Sequence, residues 1–319
     1  MNVISIEKNK NNQVKKANTL INVKGALSST AQKMLIMLIS MIKADDSEFQ
    51  EYALNINDYF SQVDSSSKNV EFAKERALEL MRNPFEVEKG VWFNWCSKVD
   101  IKKIEGYIVF SIHNDLKPYL LDLQKNFTTY NIVNILALRG DYTPRLYEYF
   151  LMRFTEYKAQ YKKQHNKTPK SFTFELEIDW LKDTFKIPTS YNYADIKRRI
   201  IEVAKRQFKE KTNIKFDYKE QKLGRKVVRL VITVENNNKG SNNYLVDLQS
   251  FIRFVRKNLI NQDIWQGQGM VLSVDMNGRI YDKKTGKEYA NKNAQVVWEK
   301  WYELAKQDKL LILKQGLLF

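Results

Sequence analysis

The stretch Ala194-Asp-Ile-Lys-Arg-Arg-Ile-Ile-Glu-Val-Ala-Lys-Arg-Gln-Phe-Lys-Glu-Lys211 decides the fold class of this chain. At about 100° per residue, the apolar side chains between Ile196 and Phe208 fall on one arc of a helix. The cations fall on the opposite arc: Arg198, Arg199, Lys205, Arg206 and Lys209. The pattern therefore predicts a helix that buries one face and presents a basic face to a partner.

The elements predicted around this helix follow a recognisable order. They are a helix, a strand, a short helix, the basic helix and a two-stranded hairpin: Pro144–Tyr161, Phe172–Ile178, Trp180–Phe185, Ala194–Lys211, Ile214–Tyr218 and Val227–Val234. Strict alternation marks the first strand, and Asp179 is placed to cap the short helix. This is the element order of a winged helix.

The same order occurs earlier in the chain. Its predicted elements are Ser29–Lys43, Tyr52–Ile56, a short helix through Phe60, Asn69–Arg82, Val91–Cys96, Tyr107–Ile112 and a closing helix from Asp115 to about Lys125. Ser29 or Thr30 is expected to cap the first helix, and Asn57 or Asp58 the short one. Leu54-Asn-Ile-Asn-Asp-Tyr-Phe60 and Leu176-Glu-Ile-Asp-Trp-Leu181 both indicate a strand running directly into a helix.

The repeat predicts an α+β protein with two tandem, pseudo-symmetric winged-helix domains and a small C-terminal α/β-hairpin extension. The expected boundaries are a flexible basic arm (1–16), domain one (17–130), domain two (131–235), a linker (236–243) and the extension (244–319). The extension should contain a helix near Leu245–Leu259, a hairpin around Asn277-Gly278 and a final helix over Asn293–Lys309. Its Trp298 and Trp301 are interpreted as core residues in preference to a partner surface.

Charge narrows the class of partner. The net charge is +16 with a sequence pI of about 9.5, which favours nucleic acid first and an anionic membrane second. Cys96 is the single cysteine, so no internal disulfide is expected and a reducing compartment is favoured. The N-terminus shows no signal peptide and the longest apolar run is too short to span a bilayer, so a cytoplasmic location without membrane attachment is expected.

The basic helix and the following hairpin favour double-stranded DNA. Arginine on such a helix can bridge the O6 and N7 atoms of guanine, whereas lysine more often meets phosphate. Asp195 and Glu202 share the basic face, and Asp195 could accept from cytosine or orient Arg198 or Arg199. The hairpin adds a basic wing: Lys222, Arg225, Lys226 and Arg229. The alternative is a solvated face with internal ion pairs.

The corresponding helix of domain one carries a different charge pattern. Glu71, Glu75 and Glu79 balance its cations, so its face is neutral overall. Domain one is therefore expected to pack, to pair subunits or to touch only the DNA backbone. Its candidate phosphate contacts are Lys68 and Lys74, with Lys98, Lys102 and Lys103 as further possibilities.

Catalytic motifs are not found. The chain contains no G-x-x-x-x-G-K-[ST] phosphate loop, and its two histidines, His113 and His165, are far apart. A rolling-circle nickase needs a closely spaced histidine pair for its metal. No cofactor, metal site or enzymatic activity is therefore predicted.

Several segments together resemble the initiator replication proteins of iteron-containing, theta-replicating plasmids. Tyr191-Asn-Tyr-Ala-Asp-Ile-Lys-Arg-Arg-Ile200 resembles their recognition-helix segment, and Thr212-Asn-Ile followed by Leu223-Gly-Arg-Lys-Val227 resembles their wing. Arg145-Leu-Tyr-Glu148 and Asn18-Thr-Leu20 are similar to other parts of these proteins. The resemblance covers about Asn18 to Val234.

The resemblance implies two pseudo-symmetric winged helices that bind direct repeats at a plasmid origin. It implies a monomer in equilibrium with a homodimer that represses its own promoter, and contacts with the host initiator and the replicative helicase. Lys197, Arg198 and Arg199 carry over as base or phosphate readers, with Tyr191 and Asp195 beside them. A winged-helix transcription regulator without a replication role is the first alternative, and a replication nickase is the second.

Overall fold

The computed structural model describes residues 13–25, 27–43, 46–63, 69–123 and 125–237. In the C-terminal part it describes 263–267, 270–275, 279–290, 298–299 and 301–303. The chain divides into two compact units, Met1–Ser241 and Asn242–Phe319.

The first half of unit one begins with a strand and contains the earlier copy of the predicted repeat. Its elements are β1 (Gln13–Ala17), α1 (Asn18–Ile21), α2 (Ser29–Ile39), β2 (Glu51–Asn55), α3 (Ile56–Gln62), α4 (Val70–Arg82), β3 (Phe85–Glu88), β4 (Val91–Phe93), β5 (Cys96–Asp100), β6 (Tyr107–Ile112), α5 (Lys117–Leu120) and β7 (Phe127–Asn131).

The second half of unit one contains the later copy. Its elements are α6 (Ile132–Leu136), α7 (Thr143–His165), β8 (Ser171–Glu177), α8 (Ile178–Thr184), α9 (Tyr193–Ile196), a π-helical turn (Lys197–Ile201), α10 (Glu202–Lys211), β9 (Ile214–Leu223) and β10 (Lys226–Asn236). We call the continuous helical segment from Tyr193 to Lys211 the recognition helix.

The two copies share one sheet topology. Each contains a three-stranded antiparallel sheet, ordered β2-β6-β5 in the first copy and β8-β10-β9 in the second. In both sheets the second strand of the hairpin, β6 or β10, lies in the centre. The strand that precedes the helices flanks it on one side, and the first strand of the hairpin flanks it on the other. This shared order confirms the predicted α+β fold with tandem winged helices.

Helix capping differs from the sequence prediction at three starts. Ser28, and not Ser29 or Thr30, caps α2 by accepting from the Ala31 amide at 3.2 Å. Asn55, and not Asn57 or Asp58, caps α3. Helix α8 begins at Ile178 without a side-chain cap, so Asp179 lies inside its first turn. Helices α3 and α8 start earlier than predicted because the preceding strands, β2 and β8, run into them without a loop.

Two strand and helix assignments in the first copy were also wrong. The predicted strand Val91–Cys96 is split, and β4 pairs with β3 in a separate hairpin while β5 pairs with β6. The helix predicted from Asp115 to Lys125 ends at Leu120 after a 3₁₀ turn over Asn114–Leu116. Short apolar runs do not distinguish one strand from two, since the break depends on which partner strand each half meets.

The predicted flexible arm is corrected over its last residues. Residues 13–16 belong to β1, which pairs in antiparallel fashion with β7. Lys16 is buried there and forms an ion pair with Glu148 of α7. Residues 1–12 lie outside the described residues. A polar composition suggested an unpacked arm because the sequence does not show that Glu148 provides a buried partner.

The core of unit one is continuous through both copies. Tyr147, Phe150 and Phe154 of α7 are fully buried and pack with residues from the recognition helix and from the sheet of the second copy. The same cluster includes α2 and the sheet of the first copy. Helix α7 thus supports the recognition helix and the sheet of the second copy.

Unit two contains an antiparallel meander. Its strands are β11 (Asp263–Gly267), β12 (Met270–Val274), β13 (Ile280–Asp282) and β14 (Glu288–Ala290), in that spatial order. The predicted pairing of the two strands around Asn277-Gly278 is confirmed, although that turn lies outside the described residues. Trp298 and Trp301 are buried, as expected of core residues. The helix predicted near Leu245–Leu259 and most of the final helix lie outside the described residues.

Candidate nucleic-acid interface

The recognition helix begins at a side-chain cap and changes its winding where the basic residues lie. Asn192 caps it by accepting from the Asp195 amide at 3.0 Å. Residues Lys197–Ile201 form a π-helical turn, which contains Lys197, Arg198 and Arg199. A π turn takes one more residue than an α turn and so rotates the side chains that follow it. The helical wheel assumed regular α geometry and did not predict this turn.

The apolar arc of the recognition helix faces the core, as predicted. Ile196, Ile200, Ile201, Ala204 and Phe208 are buried, and Val203 is half-buried. The Phe208 ring makes edge contacts with the rings of Tyr147, Phe150 and Phe216. These contacts fix the rotation of the helix, so the opposite arc is held towards solvent.

Asp195 organises the two arginines at the start of the basic face. Its Oδ1 atom lies 3.5 Å from Arg198 Nη2 and 3.6 Å from Arg199 Nε. The Arg199 guanidinium also lies 5.2 Å from the ring centroid of Tyr191. Both arginine side chains remain exposed, at 72% and 54%. Asp195 and Tyr191 therefore orient the arginines and leave their outer donors free to meet a ligand.

Two lysines of the recognition helix point to the first strand of the wing. Lys197 Nζ lies 2.8 Å from Glu220 Oε1, and Lys205 Nζ lies 2.7 Å from Asp217 Oδ1. The bond between Lys197 and Glu220 raises the pKa of the lysine and lowers that of the carboxyl group. Between these pairs, the Tyr218 hydroxyl donates to Glu202 Oε1 at 2.5 Å. We call these six residues the helix–wing brace.

The sequence predictions placed Glu202 on the basic face but did not include Asp217, Tyr218 or Glu220 of this brace. Tyr218 and Glu220 lie two and four residues after Phe216 on β9. They are therefore on the same side of the strand as the buried Phe216 ring. That alternation is a signal from which Tyr218 and Glu220 could have been placed next to the recognition helix. Asp217 gave no such signal because it lies at the opposite phase.

The wing turn carries three of the four predicted cations. β9 and β10 meet at a turn in which Gly224 has φ +60°, a conformation that glycine adopts without steric cost. Lys222, Arg225 and Lys226 are exposed around it. Lys226 lies 3.7 Å from the exposed carboxylate of Asp179, whereas no ion pair among the described residues includes Lys222 or Arg225.

Arg229 lies further along β10, opposite Glu177 of β8. Its guanidinium lies 2.7 Å from Glu175 and 2.9 Å from Glu177. The structure therefore does not group Arg229 with the cations of the turn. Its role as a DNA contact stays a prediction that would require it to exchange two carboxylates for phosphate.

The candidates of the first copy are more dispersed. Lys68 lies outside the described residues. Lys74 is paired with Glu71 at 3.0 Å on the surface of α4. Glu79 of the same helix accepts from the Ser28 hydroxyl and amide and from Arg76, so it anchors α2 to α4. The neutral face of α4 is thus partly occupied by packing contacts.

In the part of the chain that the structure describes, no group of three or more His, Cys, Asp or Glu side chains could hold a metal ion. The described helices also include none that is long and apolar enough to cross a membrane. Within the described residues, the recognition helix and the wing form the surface on which most of the predicted cations lie close together.

The fold and this basic surface define a tandem winged-helix protein. Two family descriptions match it in chain order: "Initiator Replication protein, WH1" over residues 13–151 and "Initiator Rep protein, WH2" over residues 177–234. The chain belongs to the family of initiator replication proteins.

Two curated Escherichia coli sequences are similar to this chain. An Escherichia coli sequence named "Uncharacterized 27.6 kDa protein" is 27% identical over 231 residues, which span 66% of this chain and 90% of that protein. A "Replication initiation protein" from Escherichia coli is 26% identical over 196 residues, which span 57% of this chain and 56% of the relative.

A solved structure shares the fold. The crystal structure of Pi initiator protein in complex with iteron DNA superposes with a TM-score of 0.56 at 17% sequence identity. The similarity covers 72% of this chain and 99% of that one. At this identity the likeness supports the fold.

Proposed function

We propose that this protein initiates plasmid replication by binding repeated double-stranded DNA sites, or iterons, at the plasmid origin. The main support is the position of Arg198 and Arg199, which Asp195 orients on an exposed helix face within an initiator-family fold. The Pi initiator protein of the same fold is described in complex with iteron DNA. The net charge of +16 would favour association with a polyanion.

The two winged helices have unequal roles in this proposal. The second reads bases through the recognition helix and contacts flanking phosphate through the turn of the wing. The first pairs subunits and makes auxiliary backbone contacts, since its α4 face is neutral and partly used in packing. The protein acts without catalysis and represses its own promoter as a homodimer in equilibrium with the monomer. The host initiator and the replicative helicase are the proposed protein partners.

A transcription regulator with the same fold is the alternative. A single experiment separates the two functions: a minimal replicon that carries this gene beside its own direct repeats is introduced into a host that cannot otherwise replicate the plasmid. Stable maintenance that is lost when the repeats are scrambled supports the initiator. Repression of the promoter without maintenance of the plasmid supports the regulator.

The non-catalytic assignment has its own test. Supercoiled DNA bearing the repeats is incubated with the protein and a divalent metal ion. Unchanged topology is expected. Relaxation together with covalent attachment of the protein to DNA would contradict the assignment and favour a nickase.

A further inference from the structure

The helix–wing brace places carboxylates next to cations that could otherwise meet DNA. Lys197 and Lys205 of the recognition helix are each held within 3 Å by a carboxylate of β9. Asp195 lies close to Arg198 and Arg199 on the same face. A surface built only to attract phosphate would gain nothing from these anions. Their regular pairing with the reading cations therefore requires a reason of its own.

We propose that Glu220 is a specificity-determining positioning residue that acts through Lys197. It weakens binding to random duplex DNA more than binding to the cognate repeat. The inference rests on the proposed function, namely that the recognition helix reads repeated duplex sites. Asp217 acts in the same way on Lys205, to a smaller extent.

The electrostatic part of the argument concerns random DNA. Non-specific binding comes almost entirely from cations that neutralise phosphates and release condensed counterions. A lysine that is already neutralised by a carboxylate 2.8 Å away releases fewer counterions when it meets a phosphate. Glu220 is ionised at neutral pH like any solvent-accessible glutamate, and its bond with Lys197 lowers the pKa of the carboxyl group further. Removing the carboxylate should therefore strengthen binding to any duplex.

The positional part concerns the cognate site. Direct readout needs a side chain in one place, and an ordered side chain loses less conformational freedom when it binds. Glu220 holds the Lys197 ammonium beside Arg198, within the π turn of the recognition helix. Loss of the carboxylate frees the lysine, so the gain in attraction at the cognate site is offset by lost order. The ratio of cognate to random affinity should consequently fall.

Glu220 should affect the binding of random duplex DNA more strongly than Asp217 does, because the Glu220 side chain is less exposed. The Glu220 side chain is 24% exposed and that of Asp217 is 76% exposed. Solvent screens an exposed pair more completely than a partly buried one. The D217N variant is expected to change binding in the same direction as E220Q and by less.

The test compares E220Q with E210Q and E220D in the full-length protein. Glu210 is exposed near the end of α10, and none of the ion pairs within the described part of the chain includes it. E210Q therefore makes the same change in net charge without affecting the brace, while E220D keeps the carboxylate. Dissociation constants for the gene's own direct repeat and for a scrambled duplex are measured between 50 and 300 mM KCl, roughly the range over which salt slopes are resolved.

The expected result for E220Q is about five- to tenfold tighter binding to the scrambled duplex at 0.1 M salt, since one added phosphate contact steepens the salt slope by about 0.9. Binding to the repeat should change less than about twofold, and E210Q and E220D should behave like the wild type.

Three results would overturn the inference. E220Q and E210Q could change alike, which would indicate net charge alone. E220Q could weaken both affinities, which would indicate a structural brace. The ratio could stay at the wild-type value while the wild type prefers its repeat. A wild-type protein with no preference for the repeat would instead contradict the proposed function, and the inference with it. Urea unfolding of each variant verifies that the folds are equivalent.

Discussion

Lys16 and Glu148 lie 132 residues apart in the chain and form a buried ion pair with a nitrogen–oxygen distance of 2.9 Å. Their side chains are only 4% and 8% exposed. The Tyr130 hydroxyl donates to the same Glu148 oxygen, and the lysine lies over the Trp95 ring. Burial and the neighbouring carboxylate raise the pKa of Tyr130 well above its usual value. The pair joins β1 to α7 within the shared core of unit one.

Replacing Lys16 with methionine is expected to destabilise the fold. The change leaves the Glu148 carboxylate buried without its cation, which typically costs about 3–5 kcal/mol of unfolding free energy. Lys15 is the matched control because it is the neighbouring lysine of β1 and is exposed. The K15M variant should stay within about 0.5 kcal/mol of the wild type in urea denaturation.

The double variant K16M/E148M distinguishes the reason for this loss. An apolar pair should recover much of the lost stability because the buried carboxylate is removed together with its cation. A K16M protein as stable as K15M would contradict the importance of the pair.

Removing Arg198 is expected to reduce discrimination between DNA sequences. The R198A variant should lose about 1–3 kcal/mol of binding free energy on the cognate repeat and much less on random duplex, if the guanidinium bridges a guanine. K209A is the control, since Lys209 is exposed on the same helix. The K209A variant should weaken binding to the cognate repeat and to random duplex equally. Competition gel shifts measure the ratio, and an unchanged ratio for R198A would refute a base-reading role.

The wing cations should contribute salt dependence without selectivity. The plot of log K against log salt has a negative slope. K222A and R225A are each expected to make that slope shallower by about 0.9, because each removes one phosphate contact. R229A provides the comparison, since Arg229 is paired with Glu175 and Glu177. Its salt slope should stay near that of the wild type. If R229A made the slope as shallow as K222A does, Arg229 would be shown to contact phosphate.

Cys96 should be protected from alkylation in the native protein. Burial raises the pKa of its thiol from the usual 9.0 to about 12, so the reactive thiolate is scarce at pH 8. Because the folded pKa exceeds the unfolded one, this group favours folding below pH 9 and that contribution is lost as the pH rises towards 12.

Iodoacetamide labelling followed by mass measurement checks this, and the single cysteine makes the signal unambiguous. Labelling should be slow in buffer and fast in urea. Equal rates in the two conditions would contradict the burial of Cys96.

Much of the second winged helix was predictable because periodicity carries the signal there. The apolar arc from Ile196 to Phe208 decides which face of the recognition helix is buried, and strict alternation identifies β8. The first copy was predicted less accurately. Its runs are shorter, and β3, β4 and β5 are divided by pairings that the sequence does not record.

The amino-acid sequence by itself determined the tandem winged-helix order, the inward face of the recognition helix and the basic character of the opposite face. These properties follow from residue spacing along one element. The tertiary structure alone decided that Lys16 is buried against Glu148, that Lys197 and Lys205 are held by Glu220 and Asp217, and that Arg229 lies between Glu175 and Glu177. The partner of a charged side chain depends on which strand or helix, distant in sequence, packs beside it. The spacing of residues along one element does not specify that packing.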